Sequence, residues 1–424
     1  GIDFTPTNSG YPHFPHRDTV PSDVMEWAIF SITGEKAPEF VNFVTTSDAE
    51  ALKPGESALT LVHTTAGQFE GVLGKAKEGG YLLRVKAKDA NTVGLWLRDL
   101  SDGFVAFETD LTRKIPGPVS VQNAGHGIGY SKKVTNPIEG MQPVAATKPY
   151  FIGLHEHPGV LKRSPELPAF SWTDPSDPPL RRTPLFATHV AAGAKVIPFA
   201  GWEMPVWYTT VKEEHAATRT AAGLFDCAHM GVYQAEGPDA CAFLDSVTVN
   251  DFTSLAVGDS LYTHFLDPDA NVIDDLLVYR RGLEKYLVVV NASNDDKDWA
   301  WLNAVKDGKV KVDNARPWVR AFGRNVILRN LRDPKAGADM KVDLALQGPK
   351  SREILLSLDM DTDTKNRIKR LQRTQLCEAT VNGLDLVVSR TGYTGERMAF
   401  ELFVHPDKAV DLWNALIAAG TPTG

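Results

Sequence analysis

The most informative segment of the sequence is Val272-Ile-Asp-Asp-Leu-Leu-Val-Tyr279, which is predicted to form a central β-strand that carries two adjacent carboxylates. Side chains alternate along a strand, so Asp274 and Asp275 point to opposite faces of the sheet, each among apolar neighbours. A charged carboxylate in such a setting is unfavourable unless it meets a cation or several hydrogen-bond donors. At least one aspartate is therefore a candidate for proton handling or for stabilising a cationic intermediate. The alternative is that both begin a strand after a turn and cap nearby backbone amides.

Neighbouring segments extend this strand into a sheet and add helices. Residues 262–266 and 286–291 also alternate or run apolar, and turn-rich stretches separate them from the central strand. Upstream, Thr210-Val-Lys-Glu213 is a capping box that predicts the start of a helix. Near the end, residues 406–419 form an amphipathic helical pattern that Gly420 can terminate. Together these signals predict an α+β fold.

An internal repeat relates the first part of the chain to its middle. At a constant offset of 203, ten residues between positions 34 and 60 recur as identical residues between 237 and 263, without a gap. At an offset of 205, six residues between 81 and 97 recur between 286 and 302. Both copies predict a short helix, two or three strands and a second helix, so the chain contains a duplicated unit.

A proline-rich segment lies between the two copies. Each proline removes a backbone donor and opposes both helix and central strand, which is typical of a linker. The sequence therefore predicts an N-terminal unit at residues 1–163, a linker at 164–182 and a second unit at 183–424.

Composition and charge narrow the classes of function. With 424 residues and 43% hydrophobic content, the chain fits a soluble globular protein with more than one core. A net charge of −8 gives no general attraction for nucleic acid or anionic lipid, and no stretch approaches the roughly 18 apolar residues of a membrane span. We therefore expect no nucleic-acid or membrane partner, and a location in the cytoplasm, or in the mitochondrial matrix of a eukaryote.

Cysteine usage and motif content exclude several further classes. Cys227, Cys241 and Cys377 show no CxxC spacing, so neither a disulfide framework nor a zinc site is predicted, and no bound metal is expected. No GxSxG, Walker or flavin fingerprint occurs, so the sequence lacks the motifs that would indicate a serine hydrolase, a nucleotide hydrolase or an oxidoreductase.

Two later segments are further candidates for a binding site. The loop Arg390-Thr-Gly-Tyr-Thr-Gly-Glu396 has glycines that permit close approach of a planar ligand and a tyrosine available for stacking. Glu401 lies in the apolar strand pattern of residues 400–404, which is again an unusual place for an ionisable group. The alternative for the loop is an ordinary hairpin with a surface tyrosine.

Two earlier segments carry weaker signals. The aromatic stretch Phe199-Ala-Gly-Trp-Glu-Met-Pro-Val-Trp-Tyr208 either lines a pocket for a flat heterocycle or fills one end of the core, and the core interpretation is slightly favoured. His229 and Met230 lie at the edge of a predicted strand, where a lone histidine is more often structural than catalytic.

The segments from Thr183 onward resemble, in order, the T-protein (aminomethyltransferase) family of the glycine cleavage system, within the folate-dependent GcvT superfamily. The markers include Phe199-Ala-Gly-Trp-Glu-Met-Pro205, Ala222-Gly-Leu-Phe-Asp226, Ile273-Asp-Asp-Leu276, Leu346-Gln-Gly-Pro349 and Thr391-Gly-Tyr-Thr-Gly-Glu396. The resemblance implies a folate-binding α+β fold with mixed or antiparallel sheets and packed helices at 183–424. The N-terminal unit is then a degenerate partial repeat of the same unit.

The resemblance also implies a function. Members of the family bind tetrahydrofolate, accept an aminomethyl group from the lipoyl arm of H-protein, and release ammonia as methylene-tetrahydrofolate forms. On this basis the catalytic aspartate matches Asp274 and the pterin-binding glutamate matches Glu401. The folate-contacting positions match Met230, Tyr262, Asn291 and Tyr393.

The chain departs from the family pattern at several places. Residues 317–341 form an arginine-rich insertion, and Arg397-Met398-Ala399 replaces the usual Asp-Gly pair. The chain ends at Gly424, where the family continues with a C-terminal β-barrel, so the barrel is expected to be missing. Aligning the two copies puts Glu70 at the position of Asp274 and Gly71 at that of Asp275. We expect the N-terminal unit to do no chemistry, because it lacks the aromatic stretch and the Thr-Gly-Tyr-Thr-Gly-Glu loop.

Two other functions remain open at this point. One is a tetrahydrofolate-dependent demethylase or methyltransferase that acts on a small methylated amine or sulfonium compound, which the insertion and the Arg397-Met398 departure favour modestly. The other is a non-catalytic folate-binding module.

Overall fold

The computed structural model describes residues 27–102, 119–127, 144–145, 148, 151–154, 157, 165–176, 178–314 and 316–424. The chain divides into two compact units, Gly1–Arg163 and Ser164–Gly424. Among the described residues, no helix has the length and apolar character needed to cross a membrane.

The first unit is an antiparallel sheet with two helices packed against one face. Its elements are β1 (Trp27–Thr33), α1 (Ala37–Val44), β2 (Ser57–Thr64), β3 (Gly67–Lys75), β4 (Tyr81–Lys86), α2 (Ala90–Ser101) and β5 (Ser120–Gly127). The strands lie in the order β2-β3-β4-β1-β5. Phe30 and Leu83 from the sheet contact Phe40 and Leu97 from the helices in one hydrophobic core.

The second unit opens with a small hairpin and then repeats the topology of the first. Its first elements are α3 (Phe186–Ala191), β6 (Lys195–Phe199), β7 (Trp202–Trp207), α4 (Val211–Thr220) and β8 (Gly223–Asp226). There follow β9 (Gly231–Glu236), α5 (Ala240–Val247), β10 (Ser260–Leu266), β11 (Val272–Gly282), β12 (Lys285–Val290), α6 (Asp295–Lys306) and β13 (Ile327–Asn330). These later strands lie in the order β10-β11-β12-β9-β13, which is the order of the first unit. The duplication predicted from the sequence is thus present in the fold.

Four strands of a third sheet have the same connectivity, although no sequence repeat points to it. It is built from β14 (Val342–Gln347), α7 (Ser351–Ser357), α8 (Thr362–Arg370), β15 (Leu376–Val381), β16 (Leu384–Ser389), β17 (Ala399–Val404) and α9 (Ala409–Gly420), in the strand order β15-β16-β17-β14-β8. Each of the three motifs leaves its first strand through a glycine with positive φ, namely Gly34 at 125°, Gly237 at 99° and Gly348 at 128°. Glycine is favoured there because side chains oppose this backbone conformation.

The two sheets of the second unit that carry helices pack face to face. Leu277 and Tyr279 of β11 share a buried cluster with Val387 of β16 and Phe403 of β17. The rings of Tyr279 and Phe403 are 5.5 Å apart between centroids. The opposite faces of these sheets are covered by helices in two separate clusters. We call the space between the facing sheets the inter-sheet layer.

Strand pairing corrects one residue assignment in the repeat. Val62 pairs with Phe69 in the first unit, and Phe265 pairs with Asp274 in the second. Because Val62 and Phe265 are equivalent at the offset of 203, Phe69 stands at the position of Asp274. The prediction that Glu70 occupies this position is therefore wrong by one residue. Glu70 stands at the position of Asp275, and Gly71 stands at that of Leu276. The offset changes between these hairpin strands, and the sequence alone does not show where the extra residues are accommodated.

The predicted linker packs against the second unit in its described part, 165–176 and 178–182. The amide of Leu167 donates to the carbonyl of Pro317 at 2.8 Å. Phe170 packs on Trp301 with ring centroids 5.2 Å apart. Proline keeps the segment out of helix and sheet. Burial of one of its aromatic side chains against a neighbouring core still stabilises the folded state.

Candidate functional site

The paired aspartates of β11 point into two different environments. Asp274 lies on the same face as Leu276 and Val278, which pack against the helices α5 and α6. Asp275 lies on the same face as Leu277 and Tyr279, which point into the inter-sheet layer. The alternation predicted from the sequence therefore places the two carboxylates on opposite faces of the sheet.

Asp274 is a buried carboxylate with three hydrogen-bond donors. Only 4% of its surface is exposed. One oxygen accepts from the backbone amide of Asn291 at 3.1 Å, and the other accepts from the Asn291 side chain at 3.0 Å and the Asn294 side chain at 2.5 Å. Such donors stabilise the charged form of a carboxylate. Asn294 stands immediately before α6, so the helix start is used to hold this aspartate.

Asp275 is half-buried and belongs to a second set of contacts. Its Oδ2 accepts from the hydroxyl of Tyr262 at 2.9 Å, and its Oδ1 accepts from the side chain of Asn291 at 3.2 Å. The Asn291 amide thus bridges both carboxylates. Tyr262 is 51% exposed, so this carboxylate is close to solvent-accessible surface.

A third carboxyl group, Asp298 of α6, lies behind Asp274. It is fully buried, with 0% of its surface exposed, and neither of its oxygens receives a hydrogen bond from the residues that the structure describes. Burial, followed by the hydrogen bond and charge of neighbouring Asp274, raises the pKa of Asp298 to about 10. This residue was not a candidate from the sequence, although its position one helical turn after Asn294 places it on the same side of α6.

Glu401 of β17 points into the inter-sheet layer together with Asp343 of β14. Glu401 is 3% exposed and accepts from the hydroxyl of Tyr279 at 2.7 Å and from the hydroxyl of Thr391. Burial raises the pKa of Asp343 well above its usual range, and the nearby Glu401 raises it further. Burial also raises the pKa of Glu401, against hydrogen bonds from Thr391, Tyr279 and Asp343 that lower it. Both carboxyl groups are therefore easier to protonate than an ordinary exposed carboxyl group.

Tyr393 links the two carboxylate groups of the site. It belongs to the loop between β16 and β17 and is 62% exposed. Desolvation, followed by the carboxylates of Glu401, Asp343 and Asp275, raises the pKa of its phenol. The side chain of Gln347 accepts from the backbone amide of Thr394 at 3.0 Å and fixes the loop. The tyrosine therefore lies at the margin of the inter-sheet layer, within electrostatic reach of both aspartate and glutamate.

Met230 is held at the site by an arginine from the insertion. It is half-buried beside the inter-sheet cluster. The Arg332 side chain donates to the carbonyl oxygens of His229 at 3.1 Å and Met230 at 3.0 Å, and to Asp295 at 3.0 Å. Its guanidinium also lies 4.5 Å from the ring centroid of Trp202. Burial lowers the pKa of His229, which does not favour a charged role for that histidine.

The aromatic stretch before α4 is divided between buried and exposed side chains. Trp202 and Met204 are buried, whereas Phe199 is exposed. Behind it, the carboxylate of Asp226 accepts from Thr183 at 2.6 Å and pairs with His189 at 2.9 Å in a buried network. This network fixes the strand that leads to His229 and Met230.

Family comparison assigns the second unit. The family described as GCVT N-terminal domain matches residues 185–424, which is more than half of the chain. The chain belongs to this family.

Individual relatives of this GCVT-family chain are aminomethyltransferases. The aminomethyltransferase of Bacillus subtilis (strain 168) is 39% identical over 246 residues, which cover 58% of this chain and 60% of that protein. The aminomethyltransferase of Symbiobacterium thermophilum is 42% identical over 247 residues, covering 58% and 60%. The solved glycine cleavage system aminomethyltransferase T of Bartonella henselae is 32% identical with a TM-score of 0.44, covering 56% of this chain and 57% of that one. The chain spans about 60% of the length of these curated relatives.

Within this GCVT-family unit, most of the predicted site residues meet at the inter-sheet layer. Glu401 lies inside it, Tyr262, Tyr393 and Met230 lie at its margin, and Asn291 bridges to it, whereas Asp274 faces the helices. Sequence reasoning missed Tyr279, Thr391, Asp343, Asn294 and Asp298. Tyr279 was detectable, because it alternates in phase with Asp275 along the same strand.

Proposed function

We propose that this chain holds tetrahydrofolate at the inter-sheet layer and promotes transfer of an aminomethyl group to it, with release of ammonia. The proposed donor is the lipoyl arm of an H-protein. The observation that carries the proposal is the pair of carboxylate sites in one layer, Asp275 on one sheet and Glu401 on the other. The identity of 39–42% to curated aminomethyltransferases supports the same reaction class.

The residues at the layer fit a reduced pterin. Glu401 is a buried carboxyl group near Asp343, and the pKa of each is raised. A protonated member of the pair can donate a hydrogen bond to a heterocycle and a charged member can accept one. Tyr393 lies within electrostatic reach of Glu401 and Asp343, and Tyr262 donates a hydrogen bond to Asp275. Both are large, exposed aromatic side chains, and such rings are suited to contact a flat ligand. Met230 adds an adaptable apolar contact.

We assign the reacting side of the site to Asp275 and a supporting part to Asp274. When bound, tetrahydrofolate supplies the nucleophilic amine that accepts the one-carbon unit. The Asp275 carboxylate stabilises positive charge on the incoming carbon, since it lies in the same layer as Glu401 and next to Tyr262. Asp274, which the sequence predicted as the catalytic residue, orients the Asn291 side chain that contacts Asp275. Partial burial keeps the field of the carboxylate strong by limiting the access of water.

Matched substitutions of the two aspartates test this assignment. Asp275→Asn should lower kcat for ammonia release by roughly 10²-fold, because it removes one well-placed charge. Its folate Kd and its unfolding midpoint should change little, since Asp275 is half-buried and its partners remain. Ammonia release from aminomethyl-lipoyl H-protein, folate titration and thermal unfolding measure the three quantities.

Asp274→Asn should behave differently. An amide at position 274 turns its own N–H groups toward the donors of Asn291 and Asn294, so the free energy of unfolding should fall by about 1–3 kcal/mol. Turnover should fall with it, through the displaced Asn291. Full turnover in Asp275→Asn, together with lost turnover and unchanged stability in Asp274→Asn, would return the catalytic role to Asp274.

A small methylated compound is a second candidate donor. The insertion, which the sequence sets apart from the T-protein pattern, reaches the site where Arg332 holds the Met230 carbonyl. The same enzyme preparation should be offered small methylated amines and sulfonium compounds with tetrahydrofolate. Formation of methyl-tetrahydrofolate without ammonia would favour this donor class over the lipoyl arm.

A further inference from the structure

The buried carboxyl group of Asp298 has no role in the reaction as described above. It lies on α6, fully buried, and neither oxygen receives a hydrogen bond from any described group. Its neighbour within hydrogen-bonding reach is Asp274, which is also buried. Two adjacent carboxylates in a dry site cannot both carry charge without a large electrostatic penalty.

We propose that Asp298 is a neutral carboxylic acid whose proton forms a hydrogen bond to the Asp274 carboxylate, making Asp298 a positioning residue for the site. Asp274 then stays charged and keeps accepting the hydrogen bond from the Asn291 side chain, which also contacts Asp275. Only this last link to Asp275 rests on the proposed function. The protonation state and the hydrogen bond do not.

The surrounding groups decide which carboxyl holds the proton. Asp274 accepts from Asn291 and Asn294, which stabilise its charged form, whereas Asp298 receives no such donor. Burial is the largest cause that raises the pKa of Asp298, the Asp274 neighbour adds to it, and the carboxylate of Asp295 adds further. Lys297 lowers it, but the Lys297 ammonium is directed to the carbonyl oxygen of Ile273 at 2.8 Å.

Infrared difference spectroscopy on the full chain tests the protonation state directly. The difference between wild type and Asp298→Asn should contain the C=O stretch of a protonated carboxyl group at neutral pH. Aspartate labelled with ¹³C should shift this band. Absence of the band, with both proteins folded, would overturn the proposal. Failure of Asp298→Asn to fold would also count against it, because an amide keeps the shape and can still donate to Asp274.

The pH dependence of unfolding provides a second test that requires no folate. A carboxyl group whose folded-state pKa is raised favours folding fully only below its unfolded pKa of 3.8, and this contribution is lost as pH rises toward the folded value of about 10. Relative to Asp298→Asn, the wild-type unfolding equilibrium constant should therefore rise by up to about tenfold per pH unit between about pH 5 and 9. Parallel pH curves for the two proteins would contradict the proposal.

Turnover separates a positioning role from simple packing. Asp298→Asn should keep kcat within about threefold of wild type, because its amide replaces the donated hydrogen bond. Asp298→Ala lacks the donor and should lower kcat by about tenfold or more at unchanged folate Kd. If alanine and asparagine variants have equal kcat, the hydrogen bond does not position the site. If the wild type neither binds tetrahydrofolate nor turns over while the infrared band is present, the proposed function fails but the protonation of Asp298 stands.

Discussion

At the scale of single residues, the site depends on small differences between chemically identical groups. Asp274, Asp275 and Asp298 are neighbours in the structure. Asp274 accepts three hydrogen bonds, Asp275 is half-buried beside a tyrosine, and Asp298 has no donor among the described residues. The number of donors and the degree of burial at each position set these differences. Three aspartates on one strand and one helix therefore differ in charge environment and in exposure to solvent.

Two tyrosine substitutions separate the two halves of the site. Tyr262→Phe removes the hydrogen bond to Asp275 and should lower kcat by about 3- to 10-fold, as expected for one such bond, with little change in folate Kd. Tyr279→Phe removes a donor from Glu401 and should instead raise the folate Kd by a similar factor. Steady-state turnover and folate titration measure the two effects. Equal effects of both variants on kcat would contradict the assignment of turnover to Asp275 and of folate binding to Glu401.

At the level of elements, each four-stranded motif is extended by a fifth strand. In the first two motifs this strand follows the second helix, whereas in the third it comes from upstream of the motif. These strands are β5, β13 and β8, which border β1, β9 and β14. The strand β13 lies in the insertion at 317–341, so this insertion completes a sheet and then delivers Arg332 to the site. The segment that departs from the family pattern in the sequence is thus part of the sheet in the folded unit.

Arg332 should be important for stability because it pairs in a poorly solvated place. Arg332→Met leaves the Asp295 carboxylate and two carbonyl oxygens without this donor, so the free energy of unfolding should fall by about 3–5 kcal/mol. Arg329→Met, in the same insertion, removes an ion pair to exposed Asp339, a longer ion pair to Glu236 at 3.8 Å and a hydrogen bond to the carbonyl of Ala336 at 3.3 Å. Because these contacts lie nearer to solvent, their loss should cost only about 1 kcal/mol. Denaturant unfolding compares them, and equal losses would show that Arg332 has no special anchoring role.

Much of the element pattern was available from the sequence. The predicted strands at 262–266 and 286–291 match β10 and β12 to within two residues, and the capping box at Thr210 precedes α4, with its hydroxyl accepting from the Glu213 amide. Hydrophobic alternation and local capping decide these features, so short sequence windows contain them. The third motif and the partner of Asp298 depend on packing between distant segments, and no local pattern reports them. The register of the first repeat failed for the same reason, since it is fixed by pairing across a hairpin.

At the scale of the whole molecule, two copies of one topology have diverged in chemistry. The position of Asp274 is taken by Phe69 in the first unit, where an apolar ring replaces a carboxylate with three donors. Its neighbour Glu70 stands at the position of Asp275 but forms an exposed ion pair with Lys86 at 3.0 Å. The architecture of the first unit is therefore retained without the acidic pair.

Equivalent positions in the two copies provide a matched comparison. Glu70→Gln should leave turnover unchanged and alter the free energy of unfolding by less than about 1 kcal/mol, because its ion pair is exposed to solvent. Asp275→Asn, at the equivalent position, should lower turnover by roughly 10²-fold. Assays of both variants in the full chain check the expectation. Loss of turnover in Glu70→Gln with intact folding would show that the first unit takes part in the chemistry.

The most direct test of the account is calorimetric titration of tetrahydrofolate into the full chain and into Glu401→Gln. Saturable binding to the wild type, weakened by about 1–3 kcal/mol in a Glu401→Gln variant that still folds, is the predicted result for a buried acid that contacts the pterin. An equal affinity in both proteins, or no saturable binding to either, would contradict the claim that the layer between the two sheets holds a reduced folate.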